Sequence, residues 1–161
     1  MVLVPCSARK ADLPGGSAET MYQPGSYHLA AKQAAAALTA AGGQWLILSA
    51  KYGLLRPGDQ ILDYDLKAGG AGTVSATHLR RQAHELAVTG AYVTVLAGRA
   101  YAELARAVWP HGLHEPLATL GGIGRHRAYF ADRYDPGRAG LGLNGPAGTA
   151  PRRGPSNLGG A

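Results

Sequence analysis

The segment 5–10 places a cysteine and a serine directly before two cations. A thiol beside positive charge can act as a nucleophile, so Cys6 is a candidate catalytic residue. Cys6 is also compatible with lining a site or with filling the core as a small apolar residue. Ser7 is a candidate substrate-binding residue. Lys10 is a candidate catalytic residue, as a phosphate clamp or an amine nucleophile, although a solvated surface lysine fits equally well.

A second polar cluster, segment 49–57, contains a hydroxyl, two cations and an aromatic ring. Lys51 and Arg56 can hold phosphate groups, and Tyr52 can stack on a nucleobase. Ser49 completes this set of candidate substrate-binding residues. The alternative is an ordinary loop that two consecutive leucines anchor to the core.

The residues just after this cluster extend the same candidate site. Tyr64 is a second ring for stacking, and Asp65 is a candidate general base. Either Asp65 or Asp63 could instead neutralise the nearby cations. Gly53 indicates a backbone position that needs a positive φ or a close approach by another group.

A glycine-rich turn, GGIG at 121–124, precedes a basic segment. The backbone N–H groups of Gly122 and Gly124 could cradle phosphate at a helix start. The turn matches neither a Walker A loop nor a dinucleotide fingerprint, and a simple tight connection explains it equally well. Among the scattered histidines only His28 is expected near a strand end. No metal site and no cofactor are predicted.

The elements that must position these residues alternate between strand and helix. Apolar runs predict buried strands at Val2–Cys6, Trp45–Ser49 and Tyr92–Leu96, whereas 14–17 and 49–64 are predicted loops. Helices are predicted over about 26–40, 73–88, 99–108 and 125–134, with 111–120 as a loop or short edge strand. This order predicts an α/β domain with a mainly parallel sheet flanked by helices. Such sheets bind ligands at the carboxyl ends of their strands, which selects the loops 5–10, 49–64 and 97–99.

Composition indicates one domain over residues 1–135 and a disordered tail over 136–161 that is rich in Gly, Pro and Arg. The 161 residues carry a formal charge of +6, of which three arginines lie in the tail, so the domain itself is only mildly basic. This balance is compatible with nucleic acid or nucleotide-like partners, or with a merely solvated terminus.

No apolar run is long enough to cross a membrane. The first residues are the reverse of a secretory signal, and the single cysteine cannot form an internal disulfide. We therefore expect a cytoplasmic protein without a membrane partner. The sequence does not determine the oligomeric state.

The motif LSAKYGLL at 48–55, followed by YDL at 64–66, resembles the signature of YaaA-like peroxide stress proteins and of related uncharacterised bacterial domains. The PL and GGIG segments at 116–124 are similar to the closing part of those domains, so the resemblance covers residues 2 to about 130. It implies a link to oxidative stress and DNA binding through a basic cleft.

A narrower resemblance involves Pro5, Cys6 and Lys10, which match the start of the PC-x3-K motif of archaeosine synthase. That family builds a modified base in tRNA. Its motif continues with Pro-Tyr, where this chain has Ala11 and Asp12. Both resemblances imply a nucleic acid or nucleobase ligand.

We therefore predict an α/β domain that binds, and in an enzyme version processes, a nucleic acid or nucleotide-like ligand in a basic cleft. The first alternative is a non-enzymatic DNA-binding stress-response protein. The second is a small-molecule metabolic enzyme without a polynucleotide partner.

Overall fold

A computed structural model describes residues 1–22, 25–66 and 68–135 of the chain. In chain order its elements are β1 (Val2–Pro5), β2 (Gly15–Ser17), α1 (Ala18–Met21), α2 (Ser26–Thr39), β3 (Trp45–Ser49), β4 (Gly53–Leu55), β5 (Gln60–Leu62), α3 (Ala76–Glu85), β6 (Val93–Val95), α4 (Arg99–Arg106), β7 (Leu113–His114) and α5 (Gly122–Tyr134). The predicted tail, 136–161, lies outside the described residues.

The central sheet has five strands in the order β4-β3-β1-β6-β7. Strand β1 lies in the middle and pairs in parallel with β3 and β6, with Val4 opposite Ile47 and Leu3 opposite Val95. Only β4, which pairs with β3, is antiparallel within this sheet. The predicted mainly parallel sheet is therefore confirmed. Its central strands are continuous apolar runs because both of their faces are covered.

Alternate residues of β1 point into two core layers. Val4 packs with Ile47 and Phe130 on the face covered by α2 and α5. Leu3 packs with Leu46 and the buried Trp109 on the face covered by α3 and α4. The two layers fix the loops that follow β1 and β6 at the same edge of the sheet.

Two predicted loops contain short strands, so those predictions were wrong. Strand β2 occupies most of the predicted loop 14–17, and it pairs antiparallel with β5 from the predicted loop 49–64. Strand β4 also lies within the predicted loop 49–64. Each of the three strands has only three residues, which is too short for periodicity to detect.

The other long elements lie where they were predicted, with small differences at the ends. Helix α5 begins at Gly122 rather than near residue 125, so Gly122 and Gly124 belong to its first turn and not to a preceding loop. Residues 113–114 form the edge strand that was one of the two predicted alternatives. Within the described part of the chain, no helix is both long and apolar enough to cross a membrane.

Candidate functional site

Side chains near the ends of β1, β3 and β5, together with one from the end of α1 and one from α4, meet in a group that we call the hydroxyl cluster. Its members are the buried Cys6, Tyr22 and Ser49 and the half-buried Tyr64 and Tyr101. The hydroxyls of Tyr22 and Tyr64 are 2.7 Å apart, and each contacts Ser49 Oγ, at 3.0 and 2.9 Å. Cys6 Sγ lies 3.0 Å from the Tyr101 hydroxyl and 3.6 Å from that of Tyr64. The cluster thus joins three strand ends.

Ser49 lies at the centre of this cluster and is fully buried. Its Oγ also accepts hydrogen bonds from the backbone N–H groups of Lys51 at 3.2 Å and Tyr52 at 3.1 Å. A hydroxyl offers one donor and two acceptor sites, and Ser49 Oγ has four protein partners, so no site remains for a ligand. The structure therefore places Ser49, a predicted substrate-binding residue, where it holds the loop together.

The phenols of the cluster are donors at neutral pH. Burial raises the pKa of Tyr22 to about 12. Burial, reinforced by the neighbouring Cys6, also raises the pKa of Tyr64 and of Tyr101 above the usual range. Two protonated phenols therefore surround one sulfur, an arrangement that can stabilise charge on Cys6 during a reaction.

The predicted cations lie on the outer side of Tyr64. Lys10 Nζ is 3.7 Å from the centre of the Tyr64 ring, and Lys51 Nζ is 5.2 Å from it. The Tyr52 ring packs edge-on against Tyr64 at 5.4 Å. The structure thus brings four predicted residues together at the surface as a cationic group, which we call the lysine–tyrosine group (Lys10, Lys51, Tyr52, Tyr64); Lys51 is exposed and the other three are half-buried.

Two other predicted residues are exposed. Arg56 lies at the turn between β4 and β5, where its backbone N–H donates to the Asp59 carboxylate at 2.7 Å. Asp65 follows Tyr64 on the surface. The contacts described for Arg56 are confined to its own turn.

A pocket of about 640 Å³ opens beside the cluster, at the carboxyl ends of β1 and β6. Its described lining comes from five parts of the chain: residues 5–9, residues 25, 27 and 28, residues 66 and 68, residues 98–101, and residues 123 and 126. Two of the three loops that sheet geometry selected, 5–10 and 97–99, therefore contribute to it. Of the predicted site residues, Cys6 and Ser7 line this pocket.

The charged side chains of the lining are basic. Arg9 and Arg99 line the pocket, and no Asp or Glu is among its described lining residues. Arg99 also forms an ion pair with Glu103 at 2.9 Å, but its side chain is 91% exposed. Exposed pairs of this kind contribute little stability, so Arg99 can exchange its partner for a ligand anion at small cost.

His28 lines the same pocket and is buried, with only 3% of its surface exposed. Neither ring nitrogen has a hydrogen-bond partner among the described residues. Burial, and secondarily the nearby Lys32, lower the pKa of His28 to about 4; the Pro5 carbonyl opposes this shift without reaching hydrogen-bond geometry. The imidazole is therefore neutral at physiological pH and carries one unused donor and one unused acceptor.

A hydrogen-bonded pair from α2 and α5 forms another wall. The Tyr27 hydroxyl lies 3.0 Å from His126 Nδ1, and His126 Nε2 lies 3.2 Å from the Leu120 carbonyl oxygen. A carbonyl can only accept, so Nε2 carries the proton and Nδ1 accepts from Tyr27. Burial raises the pKa of Tyr27 to about 12, which keeps this donor protonated.

Three helices begin at the pocket. Residues Gly25 of α2, Gly98 of α4 and Ile123 of α5 all belong to its lining. Each of these helices follows a glycine N-cap and lacks a side-chain cap. Because the first-turn N–H groups of a helix have no intrahelical acceptor, these ends remain available as donors.

Sequence reasoning missed several lining residues, including Arg9, Tyr27, Arg99, Tyr101 and His126. Arg99 lies in a loop that the strand-end rule had selected, and Arg9 lies in another. The remaining three come from helices, and only the topology brings them to this edge. The part of the chain that the structure describes holds no group of three or more His, Cys, Asp or Glu side chains suited to a metal ion.

Comparison of the sequence with known proteins identifies the family of this chain. Residues 1–132 match DUF6884, a family of unknown function. The chain belongs to that family. The DUF6884 match contains every residue of the pocket and of the hydroxyl cluster.

One curated relative is the uncharacterized protein YfjM of Bacillus subtilis (strain 168), which is 37% identical over 87 residues. This alignment covers 50% of the present chain and 58% of YfjM, so the chain spans little more than half the length of that relative. No solved structure matches the chain.

Proposed function

We propose that this DUF6884 protein binds a small nucleotide-like ligand, an aromatic heterocycle joined to an anionic group, in the pocket at the carboxyl ends of β1 and β6. The observation that carries the proposal is the composition of the lining. It combines aromatic and apolar walls with two arginines and no described acidic residue. A volume of about 640 Å³ lies within the range typical of small-molecule sites.

The walls suit a flat, partly apolar ring. Tyr27 and Tyr101 supply aromatic surface, and Leu66 and Ile123 supply aliphatic surface. Ile123 is 62% exposed although it is a large apolar residue. An exposed side chain of this kind at the rim of a pocket is available to cover a bound heterocycle.

The two arginines suit the anionic part of such a ligand. Guanidinium groups form paired hydrogen bonds with phosphate or carboxylate oxygens. Arg9 lies in the loop after β1 and Arg99 is the first residue of α4, so the two guanidinium groups reach the pocket from different segments and can bind the same anion. A basic or uncharged ligand of the same size would leave both guanidinium groups without an anionic partner.

Of the three candidate catalytic residues, Cys6 lines the pocket, whereas Lys10 and Asp65 are not among its lining residues. A processing step in this pocket would therefore use the Cys6 sulfur, with Tyr101 as the adjacent proton donor.

The direct test is calorimetric titration of the full chain with mononucleotides and with the corresponding nucleosides. We expect at least one mononucleotide to bind, and Arg9→Ala and Arg99→Ala each to weaken it about tenfold, because each removes a charge-assisted contact. Arg81→Ala is the matched control: Arg81 pairs with Glu85 four residues on, as Arg99 pairs with Glu103, but it is on α3 and does not line the pocket. Absence of binding for all nucleotides and nucleosides would reject the proposal.

A second candidate function is polynucleotide binding by the lysine–tyrosine group. The observation that favours it is the position of two lysines over one tyrosine ring on an exposed edge. The resemblance of this region to YaaA-like proteins points the same way. Lysines contact backbone phosphates, and tyrosine rings stack on unpaired bases.

Fluorescence anisotropy of the full chain with duplex DNA, single-stranded DNA and tRNA tests this candidate, at about 50 and 200 mM salt. We expect affinity to fall with salt, and Lys51→Ala to reduce the salt dependence by about one phosphate contact. Arg81→Ala again serves as a control for charge. Binding that Lys51→Ala leaves unchanged would exclude the lysine–tyrosine group as the contact surface.

A further inference from the structure

We infer that the anionic group of the ligand is a phosphate monoester, held at the start of α4 between Arg9 and Arg99. This inference rests on the proposed function, because it concerns the same pocket and names the chemical class of the anion. It goes further by assigning the anion to one helix end.

The start of α4 is the most continuous part of the pocket wall. Gly98, Arg99, Ala100 and Tyr101 all line it. The N–H groups of Tyr101 and Ala102 bond back to the Gly98 carbonyl oxygen at 3.1 and 3.2 Å. This leaves the N–H groups of Arg99 and Ala100 outside the helix ladder, where they are donors for an anion.

The other two helices strengthen the positive potential at this place. Helices α2 and α5 also begin in the pocket lining, through Gly25 and Ile123. Each helix N-terminus carries roughly half a positive charge. Together with the two guanidinium groups, three such ends favour a doubly charged anion over a singly charged carboxylate.

The glycine at the start of α4 is not required by the fold. Gly98 has φ −72° and ψ 172°, an extended conformation that any residue adopts, and a Cβ at this position would meet nothing within 4 Å. Aspartate, asparagine or serine would cap the helix here. The chain instead leaves the helix end open, and this leaves both donors and space for a ligand.

His28 is an independent indication of a missing ligand group. Its side chain lines the same pocket. Only 3% of the residue's surface is exposed, and neither ring nitrogen has a hydrogen-bond partner among the described residues. Buried polar atoms are nearly always hydrogen-bonded. The protonated nitrogen of the neutral imidazole can donate to a phosphate oxygen, and the other nitrogen can accept from a hydroxyl of the ligand.

The experiment uses the full chain and five probes: inorganic phosphate, AMP, adenosine, and one oligonucleotide in two forms, with a 5′-phosphate and with a 5′-hydroxyl. Phosphate is expected to bind and to compete with AMP. Gly98→Asp is expected to abolish phosphate binding and to weaken AMP at least tenfold, because its carboxylate occupies the helix end. Gly98→Asn, which caps the helix without charge, is expected to weaken AMP only about threefold.

Gly90→Asp is the matched control for the added charge. Gly90 is exposed, has open space around it, and precedes β6 at the opposite edge of the sheet. We expect Gly90→Asp to bind AMP like the wild type. Melting temperatures of all three variants are measured alongside, and those of the two Gly98 variants should not fall.

The outcomes separate this inference from the proposed function. If adenosine binds as well as AMP and phosphate does not compete, the anion subsite is wrong while heterocycle binding stands. If phosphate binds and Gly98→Asp abolishes it, but AMP binds no more tightly than phosphate, the subsite stands and the nucleotide proposal fails. Binding only of the 5′-phosphorylated oligonucleotide supports the phosphate monoester but places it on a nucleic acid end. Unchanged phosphate and AMP binding by Gly98→Asp overturns the inference.

Discussion

The hydroxyl cluster and the pocket lie side by side at one edge of the sheet, yet they treat polar groups in opposite ways. In the cluster, Ser49 Oγ has four protein partners. In the pocket, both nitrogens of His28 lack a partner among the described residues, and three helix ends lack a side-chain cap. A buried polar group whose hydrogen bonds are all made stabilises a fold. A buried polar group without partners destabilises it, and a ligand that supplies the missing hydrogen bonds removes that cost. We propose that this contrast distinguishes residues that stabilise the fold from residues that would bind a ligand.

The largest loss of stability is expected from a substitution in the hydroxyl cluster, where the polar groups have hydrogen-bond partners. Ser49→Ala removes the common partner of two backbone N–H groups and two phenols, and leaves several buried donors unsatisfied. We expect the free energy of unfolding to fall by about 3 kcal/mol, measured by urea denaturation. Ser75→Ala is the control: Ser75 caps α3 through a single bond to the His78 N–H, and its loss should cost about 1 kcal/mol. Equal losses for the two variants would contradict a special role for Ser49.

Removing a buried polar group that has no hydrogen-bond partner should instead raise the free energy of unfolding. His28→Phe replaces a buried imidazole without partners by an apolar ring of similar shape, so we expect the protein to gain about 1 kcal/mol of stability at pH 7. His84→Phe, at an exposed position on α3, should change little. A destabilised His28→Phe would indicate that His28 has a partner that the described residues do not include.

The same histidine predicts a pH dependence. The ordinary pKa of 6.5 applies to the unfolded chain, and burial lowers the pKa of His28 to about 4 in the fold. Between these values the unfolded chain binds a proton that the folded chain does not, so stability is fully present above pH 6.5 and is lost as the pH falls toward 4. The loss is about 3 kcal/mol. Urea titrations from pH 7 to 4 should show it in the wild type, and His28→Phe should lack this component; parallel curves would contradict it.

A further small effect concerns the open end of α4. Gly98→Asn should stabilise the protein by about 1 kcal/mol, because it caps the helix and restricts the unfolded chain. Gly25→Asn is the contrasting variant: Gly25 has φ +144°, a conformation that side-chain-bearing residues rarely adopt, and should lose about 1 kcal/mol or more. Thermal melts distinguish the two. If Gly98→Asn is destabilising, the glycine has a role in the fold and the contrast with the cluster weakens.

Much of the fold could be predicted because the central strands are uninterrupted apolar runs. The prediction for Gly53 is also confirmed in both of its senses: its φ is +78°, and a Cβ there would lie 2.0 Å from Gln82 Oε1. The same Gln82 accepts from the Leu54 N–H at 2.9 Å. A glycine inside a polar motif therefore predicted the local backbone conformation correctly. Strands β4 and β5 were missed because three residues are too few to show a period.

The site was harder to predict because its parts meet only through topology. Ser49 has the residue type of a ligand-binding group, but Tyr22 and Tyr64 turn its hydroxyl inward, and their spacing along the chain gives no hint of this. Arg99 and Tyr101 follow the third predicted strand by a few residues and become pocket residues only because β6 lies beside β1. The sequence indicated a possible anion site at the GGIG turn that opens α5, but it did not indicate that α2, α4 and α5 all begin beside one pocket.

The central position of β1 has a consequence for folding during synthesis. Val2 pairs with Trp45 on one side and with Thr94 on the other, so β1 needs partners that are translated much later. Pairings between such distant residues slow folding. At about 5–20 residues per second, a nascent chain must wait several seconds for β6, and its apolar first strand requires protection during that time. The pocket, with one wall from residues 5–9 and another from residues 98–101, is completed only after most of the domain has left the ribosome.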